Sequence, residues 1–378
     1  MSDHRRPGGP SAPAEPRTQN RRKLGLVVLL GALFVVAALW VLLDSRLPPP
    51  DAPDEPPAER PEVAPDGAPE PEPEETARTW EHAWASEDLD TLRNWYETNT
   101  GLTDPDALGP PSTDPVVSTE AGQTIENHDL RYAGDTNMAI HVMHDDVTVR
   151  NNRIRAEGDR NGIWVEAGLS GVVVEHNEID GSSTDYATDR ADGNFGNIGV
   201  ATRGPVATIR RNHIYGVRQG AGLYPDTLVE ENWVHDLHEN APNVSTSSFG
   251  HLGSSFAGGT VIRRNLVEAG TSGGITVYAQ DAGPARDVVF ADNLVIGVGE
   301  GFGVRGGYSG QHRDDSRDIR IEGNRFWGTF AYPDSLGGGT NAAVNLELDG
   351  NTFDDNRWLG NSTNLPARCG VERDTCTR

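Results

Sequence analysis

A short phrase that recurs along residues 147–355 constrains the fold of this chain more than any other feature. Two or three alternating apolar residues precede an Asn, and the second residue after that Asn is Ile, Val or Phe. The copies are VTVRNNRIR, VVVEHNEID, ATIRRNHIY, TLVEENWVH, TVIRRNLVE, VVFADNLVI, IRIEGNRFW and LELDGNTFD. Their asparagines are Asn152, Asn177, Asn212, Asn232, Asn265, Asn293, Asn324 and Asn351, so by subtraction the gaps are 25, 35, 20, 33, 28, 31 and 27 residues. A constant phrase at variable spacing indicates a repeated coil with loops of different length.

The phrases alternate as strands do when one face is buried, for example at Val147, Val149 and Ile154. A second short strand lies between phrases, as in GIWVEA, NIGVAT, GLYPD, GITVYA and GFGVRG. Several strands per coil, turned by Asn and Gly, predict a parallel β-helix over residues 115–360 with one stacked core. Because Asn tolerates left-handed backbone and its amide can bond the same amide one coil away, we also expect a ladder of asparagines.

These phrases resemble the right-handed parallel β-helix proteins of the pectate-lyase-like superfamily. The resemblance covers residues 115–360, about two thirds of the chain, and implies an all-β solenoid. Such solenoids include lyases, hydrolases, epimerases, adhesins and phage tail fibres. The resemblance therefore predicts the fold and leaves the function open.

The N-terminal part contains twenty apolar residues, 24–43, with Arg21, Arg22 and Lys23 before them and Asp44 after them. This length and charge pattern predicts a single transmembrane helix with residues 1–23 in the cytoplasm and the remainder extracytoplasmic; the alternative is a cleaved signal peptide. Proline and acidic residues fill 44–78, which predicts a disordered stalk.

The segments that flank the solenoid carry separate expectations. Residues 79–114 begin with a helical pattern that includes Trp80 and Trp84, and we expect them to cap the open apolar end of the β-helix; the alternative is that the tryptophans stack on sugars. The tail 361–378 contains Cys369 and Cys376, which predict a disulfide outside the cytoplasm. The net charge of −25 argues against nucleic acid as a partner.

Alternation along the strands between phrases predicts two outward rows on one sheet. The first row is His141, Trp164, Gly199, Tyr224, Thr276 and Gly303, and the second is Met143, Glu166, Ala201, Asp226, Tyr278 and Arg305. Aromatic planes, carboxylates and a guanidinium group suit sugar rings and their hydroxyls. We therefore expect polysaccharide as the partner, with His141, Trp164, Tyr224 and Tyr278 as substrate-binding residues.

The sequence offers two alternative sets of catalytic residues. Glu166 and Asp226 would lie two coils apart, with carboxyls roughly 9–10 Å from each other, near the upper end for an inverting glycosidase. Both residues could instead be solvated surface acids. The resemblance implies, as the second set, a lyase with calcium and an arginine base. Since Lys23 is the single lysine, Arg305 in GFGVRGGY is the base candidate; the alternative for this side chain is a structural ion pair.

Oxygen ligands for calcium occur in the loop DYATDRADGNFGN, at Asp185, Asp189 and Asp192. The spacing does not match an EF-hand, so calcium is a hypothesis and no cofactor is certain. Taken together, the sequence predicts an extracytoplasmic, membrane-anchored β-helix that binds polysaccharide. If the protein is an enzyme, it is expected to cleave the polysaccharide as a lyase or a glycoside hydrolase. The alternative is a non-catalytic adhesin or structural cell-surface protein.

Overall fold

The structure is a computed structural model of the chain. It describes residues 79–157, 160–182, 197–203, 207–237, 247–251, 258–270, 273–277, 286–298, 302–306, 317–330, 344–346 and 350–359. Outside these ranges lie the predicted tail 1–23, span 24–43 and stalk 44–78, and the C-terminal segment 361–378 with Cys369 and Cys376.

The predicted location of the chain as a single-pass membrane protein needs correction. Within the described ranges, no helix is long and apolar enough to cross a membrane. The two α-helices found there, α1 (Trp80–Ala85) and α2 (Leu89–Asn99), have 6 and 11 residues, whereas a membrane span needs about 20.

Within the described ranges, three sheets of nine parallel strands each follow one another in rotation along the chain. Sheet I contains β1 (Val116–Val117), β4 (Met138–Val142), β7 (Asn161–Val165), β10 (Ile198–Thr202), β13 (Gln219–Leu223), β16 (Ser247–His251), β19 (Gly273–Val277), β22 (Phe302–Gly306) and β25 (Val344–Leu346). Sheet II contains β2 (Thr124–Glu126), β5 (Thr148–Arg150), β8 (Val172–Glu175), β11 (Ala207–Arg210), β14 (Leu228–Glu230), β17 (Val261–Arg263), β20 (Arg286–Ala291), β23 (Arg317–Glu322) and β26 (Thr352–Asp354). Sheet III contains β3 (Asp129–Tyr132), β6 (Arg153–Ala156), β9 (Glu178–Asp180), β12 (His213–Tyr215), β15 (Trp233–His235), β18 (Leu266–Ala269), β21 (Leu294–Val298), β24 (Arg325–Thr329) and β27 (Arg357–Trp358).

This arrangement confirms the predicted parallel β-helix; its right hand stays a prediction. One inward row from each sheet stacks along the solenoid, and every strand within a row is in register with the next. The rows include Ile140, Ile163 and Val200 from sheet I, Val149, Val174 and Ile209 from sheet II, and Ile154, Ile179 and Ile214 from sheet III, all fully buried. No single coil could bury these side chains alone, so stacking of coils supplies the core.

The expected asparagine ladder runs between sheets II and III. The Nδ2 atom of Asn177 donates to Oδ1 of Asn212 at 3.0 Å, and the same bond links Asn212 to Asn232 at 3.0 Å. The last rung differs from the sequence interpretation, because Asn324 bonds Asn356 at 2.9 Å rather than Asn351. Asn351 instead accepts a bond from the backbone N of Ile319, so the final phrase is NTFDDNRW, one strand later than predicted.

The helices that follow residue 79 do not occupy the position expected of a terminal cap. Helices α1 and α2 pack against the outer face of sheet III, where Leu92 and Tyr96 form one buried cluster with Leu266 and Leu294. The hydroxyl of Tyr96 donates to the carbonyl of Arg264 at 2.6 Å. The physical reason is that this part of sheet III carries apolar residues on its outer face, and these need cover from water.

Two stacked tryptophans anchor helix α1 on the same face. The rings of Trp80 and Trp84 lie 4.8 Å apart. The guanidinium of Arg264 lies 4.4 Å from the Trp80 ring, and that of Arg325 lies 3.8 Å from the Trp84 ring. These cation–π contacts place both tryptophans in helix docking, whereas the alternative of sugar stacking would need a free ring face.

Candidate functional site

The outer face of sheet I carries most of the residues that the sequence marks for chemistry. Backbone register aligns one outward row across the strands. This row consists of His141, Trp164, Ala201, Gly222, Gly250, Thr276 and Arg305. It differs from the predicted row, since Ala201 replaces Gly199, Gly222 replaces Tyr224, Arg305 replaces Gly303 and Gly250 is added. A Cβ on Gly199 would meet the carbonyl of Gly220 and the side chain of Ile214, so that position faces the interior.

A hydrogen-bonded pair stands at the N-terminal part of this row. The Nε2 atom of His141 lies 2.9 Å from Oε1 of Glu166, and the indole N–H of Trp164 donates to the same oxygen at 3.2 Å. Glu166 follows strand β7 directly, and its backbone N bonds the carbonyl of Val142. The side chains of His141 and Glu166 are 20% and 35% exposed, so the pair is open to a ligand from the surface.

The surroundings of Glu166 favour its anionic form. Partial burial raises the pKa of this carboxyl, but hydrogen bonds from His141, the backbone N of Ala167 and Trp164 outweigh that effect, and the pKa is lowered overall. Since the carboxylate can only accept, Nε2 of His141 must carry the proton that they share. The Nδ1 atom of the neutral imidazole then holds the lone pair.

A second outward row begins one residue beyond the strands and contains a residue that the sequence interpretation missed. The backbone N of Arg203 bonds the carbonyl of Val165, which places Arg203 beside Glu166 on the next coil. Its guanidinium lies 5.4 Å from the centre of the Trp164 ring. Arg203 is exposed, so its donors face solvent. The sequence NIGVATRG contains Arg203, but a strand register that takes Gly199 as outward places Ala201 in this row instead.

Tyr224 follows strand β13 and aligns with Arg203, because Ala201 pairs with Gly222 in the preceding positions. It is half-buried, and its carbonyl accepts a bond from the hydroxyl of Thr227 at 2.7 Å. The structure therefore brings His141, Trp164, Glu166, Arg203 and Tyr224 onto neighbouring coils of one face.

Asp226 lies elsewhere, in the turn that leads from sheet I to sheet II. Its φ is 57°, and its backbone N bonds the carbonyl of Gly258 at 2.9 Å. The equivalent turn positions on other coils also have positive φ and hold Asp146, Gly171, Gly259, Asp287, Asp318 and Gly350. A Cβ on Gly259 would overlap the Asp226 carboxylate, which shows that this side chain extends along the column of turns. The structure does not bring Asp226 together with Glu166.

Other predicted site residues are distant from the pair or lie outside the described ranges. Arg305 belongs to the same row as Trp164, but five strand spacings separate them, about 24 Å at about 4.8 Å per strand. Outside the described ranges lie Tyr278 and the proposed calcium ligands Asp185, Asp189 and Asp192. Among the residues that are described, no three His, Cys, Asp or Glu side chains are grouped to hold a metal ion.

Comparison with known proteins gives no assignment by sequence, since neither a protein-family model nor a curated protein matches the chain. Three solved structures are similar in shape. An alginate lyase from Paenibacillus sp. str. FPU-7 has 14% identity and a TM-score of 0.36, covering 72% of this chain and 95% of that chain. A mutant of DFA-IIIase from Arthrobacter chlorophenolicus A6, in complex with DFA-III, has 12% identity and a TM-score of 0.32, covering 76% and 96%. Tailspike protein 2 of Escherichia coli O157:H7 bacteriophage CAB120 has 9% identity and a TM-score of 0.29, covering 74% and 39%. The function proposed below rests on the side chains of sheet I.

Proposed function

We propose that the chain binds an acidic polysaccharide along the outer face of sheet I and cleaves it by β-elimination at the pair formed by His141 and Glu166. The observation that carries this proposal is the 2.9 Å hydrogen bond between His141 Nε2 and Glu166 Oε1. A carboxylate that fixes the tautomer of an imidazole prepares the other ring nitrogen as a base.

In this reaction His141 is the base. Its Nδ1 atom takes the proton from the sugar carbon next to the uronate carboxylate. Glu166 orients the ring and stabilises the imidazolium that forms. The carbanionic charge spreads onto the uronate carboxylate. As the double bond forms, the glycosidic oxygen at the neighbouring carbon leaves with the electron pair of the broken C–O bond and takes a proton from solvent.

Arg203 supplies the positive charge that pairs with the uronate carboxylate. Its exposed guanidinium lies over Trp164, and its backbone aligns with Glu166 on the preceding coil. Guanidinium forms bidentate bonds with a carboxylate. On a chain with a net charge of −25, an anionic polymer needs such local positive charge in order to bind. Trp164 thereby supports Arg203, and Tyr224 extends the same surface by one coil.

The alternative reaction, glycoside hydrolysis, has weaker support from the same residues. Hydrolysis needs one carboxylic acid with a raised pKa as proton donor and a second carboxylate at a fixed distance. The pKa of Glu166 is lowered, and Asp226 belongs to a column of turns. We therefore favour elimination.

A product assay tests the proposal. The full chain is incubated with a panel of uronate-containing and neutral polysaccharides, and the ultraviolet absorbance of an unsaturated uronate is followed. We expect product from an acidic polymer, and a loss of about 100-fold or more in kcat for His141→Gln and for Glu166→Gln. The matched controls lie away from sheet I and should retain activity: Glu126→Gln is on β2 of sheet II, and His128→Gln is in the turn between β2 and β3.

The assay separates the competing functions. Reducing ends without that absorbance, lost in Glu166→Gln, would indicate a hydrolase and contradict elimination. A polymer that is retained by the immobilised chain but never cut would indicate a binding module, as the adhesin hypothesis expects.

A further inference from the structure

A second cluster of histidines lies on the outer face of sheet III, away from the residues used above. Strand β12 carries His213 and Tyr215, and strand β15 carries Trp233 and His235. Register pairs His213 with Trp233 and Tyr215 with His235 on adjacent coils. The four rings therefore form a two-by-two block.

Within this block the two imidazoles face each other through the same atom. The Nε2 atoms of His213 and His235 lie 2.7 Å apart, and Nδ1 of His235 lies 2.8 Å from Oδ2 of Asp236. The ring of His213 stacks on that of Trp233 at 4.4 Å, and the ring of His235 stacks on that of Tyr215 at 5.4 Å. Packing on both sides thus holds the two Nε2 atoms in place.

We propose that His213 and His235 form a two-imidazole site for a divalent transition metal, with Cu²⁺ bound most tightly. Within the described residues no third His, Cys, Asp or Glu completes a set of three, so water fills the remaining positions. The metal takes the place of the proton that the two Nε2 atoms share. On binding, the Nε2 proton of His213 passes through solvent to Nδ1 of the same ring, so both imidazoles bind as neutral ligands, no net proton is released and the metal undergoes no redox change.

The separation of the two nitrogens favours one coordination geometry. Two imidazole nitrogens about 2.0 Å from a metal are about 2.8 Å apart at a right angle and about 3.3 Å apart in a tetrahedron. The observed 2.7 Å is closer to the first value. Right-angled nitrogen pairs belong to the square-planar or tetragonal geometry of Cu²⁺ and Ni²⁺, and Cu²⁺ binds such ligands more strongly.

The surroundings supply the other features of such a site. Asp236 accepts from His235 Nδ1, which leaves Nε2 of His235 available as a ligand. Glu178 and Asp180, on the preceding coil of sheet III, contribute negative charge near the cluster.

Titration of the full chain with CuCl₂ tests the proposal. We expect electron paramagnetic resonance of the wild-type complex to show coupling to two imidazole nitrogens. Affinity should fall at least about tenfold in His213→Gln and in His235→Gln, and it should also fall in Asp236→Asn, which removes the negative charge of the group that accepts from His235. The control His176→Gln, on a half-buried histidine outside the cluster, should bind Cu²⁺ as the wild type does.

Two results would overturn the site. One is a wild-type signal with a single coupled nitrogen or with oxygen ligands alone, which needs no variant to interpret. The other is unchanged Cu²⁺ affinity in both folded variants, His213→Gln and His235→Gln. Neither result depends on polysaccharide cleavage, so failure of this site and failure of the proposed function are distinguishable.

Discussion

Oε1 of Glu166 lies 2.9 Å from Nε2 of His141, although 25 residues separate the two in sequence. The β-helix produces this contact, because one turn of the solenoid brings the end of strand β7 beside strand β4. Trp164, two residues before Glu166, donates to the same oxygen and completes the environment of the carboxylate. The pair is therefore built from two coils, and its geometry depends on their register.

The lowered pKa of Glu166 predicts how the pair contributes to stability as pH changes. A carboxyl with a lower pKa in the folded state stabilises the fold above its unfolded pKa, about 4.3 for glutamate, and the contribution is lost as pH falls through the folded value. Urea denaturation should show that wild type loses its advantage over Glu166→Gln as pH falls below about 4.3. Glu97→Gln, on the exposed face of α2, gives the background for loss of one surface carboxylate. An advantage that grows as pH falls would contradict the assigned shift.

Arg203 should determine preference for acidic sugars. Loss of a hydrogen-bonded charge pair costs about 1.5–3 kcal/mol, so Arg203→Ala should weaken binding of an acidic oligosaccharide by about 10–100-fold. Arg203→Lys should recover part of that loss, since the charge remains while the planar guanidinium is gone. Calorimetry with acidic and neutral oligosaccharides measures both effects. Arg210→Ala, an exposed arginine of sheet II paired with Glu175, is the control. An equal loss for neutral sugars would assign Arg203 a structural role.

Substitutions at Asp226 should show whether this residue serves the turn or the catalytic reaction. Since φ is 57° and glycine occupies the equivalent turn at Gly171 and Gly259, Asp226→Gly should fold with little change in stability. Asp226→Val should lose about 1–2 kcal/mol, because a β-branched residue disfavours left-handed backbone. Chemical denaturation measures these values. Asp226→Asn should keep full activity, and a large loss of kcat in this variant would return Asp226 to the active site.

The asparagine ladder should account for a large part of the stability of the solenoid. The amide of Asn232 donates to the carbonyl of Ile209 at 2.9 Å and to Asn265 Oδ1 at 3.0 Å, and it accepts from Asn212. Asn232→Ala leaves buried groups without partners at about 1–3 kcal/mol each, so the total loss should be about 3 kcal/mol or more. The control Asn94→Ala, on an exposed helical position, should lie within about 0.5 kcal/mol of wild type. Equal stability of the two variants would exclude the ladder as a main determinant.

The coils of the solenoid could be predicted from the sequence because asparagines and alternating apolar residues recur from one coil to the next. Asn177, Asn212 and Asn232 have the predicted role, since a buried amide between strands has few substitutes. The last rung differs because LELDGNTFD contains Asn351 in an apolar context similar to the phrase. Asn351 follows β25 of sheet I, whereas Asn356 follows β26 of sheet II, where the ladder runs.

The candidate site could be predicted only in part. His141, Trp164 and Glu166 lie on strands with bulky inward neighbours, which mark the two faces. In the strand Gln219–Leu223, glycine and alanine leave few side chains to mark a face, so Tyr224 and Asp226 were placed in the wrong rows. Helix docking on sheet III could not be predicted either, because Leu266 and Leu294 have the pattern of ordinary strand residues, and only the assembled sheet shows that they lie on its outer face.

A crystal structure of Glu166→Gln with an acidic oligosaccharide would test whether the polymer binds on sheet I with His141 as the base. We expect the sugar chain to lie along the outer face of sheet I, with a uronate carboxylate on Arg203 and a sugar carbon within reach of His141 Nδ1. Sugar bound on sheet II or sheet III, or bound on sheet I without contact to His141 and Arg203, would contradict this expectation.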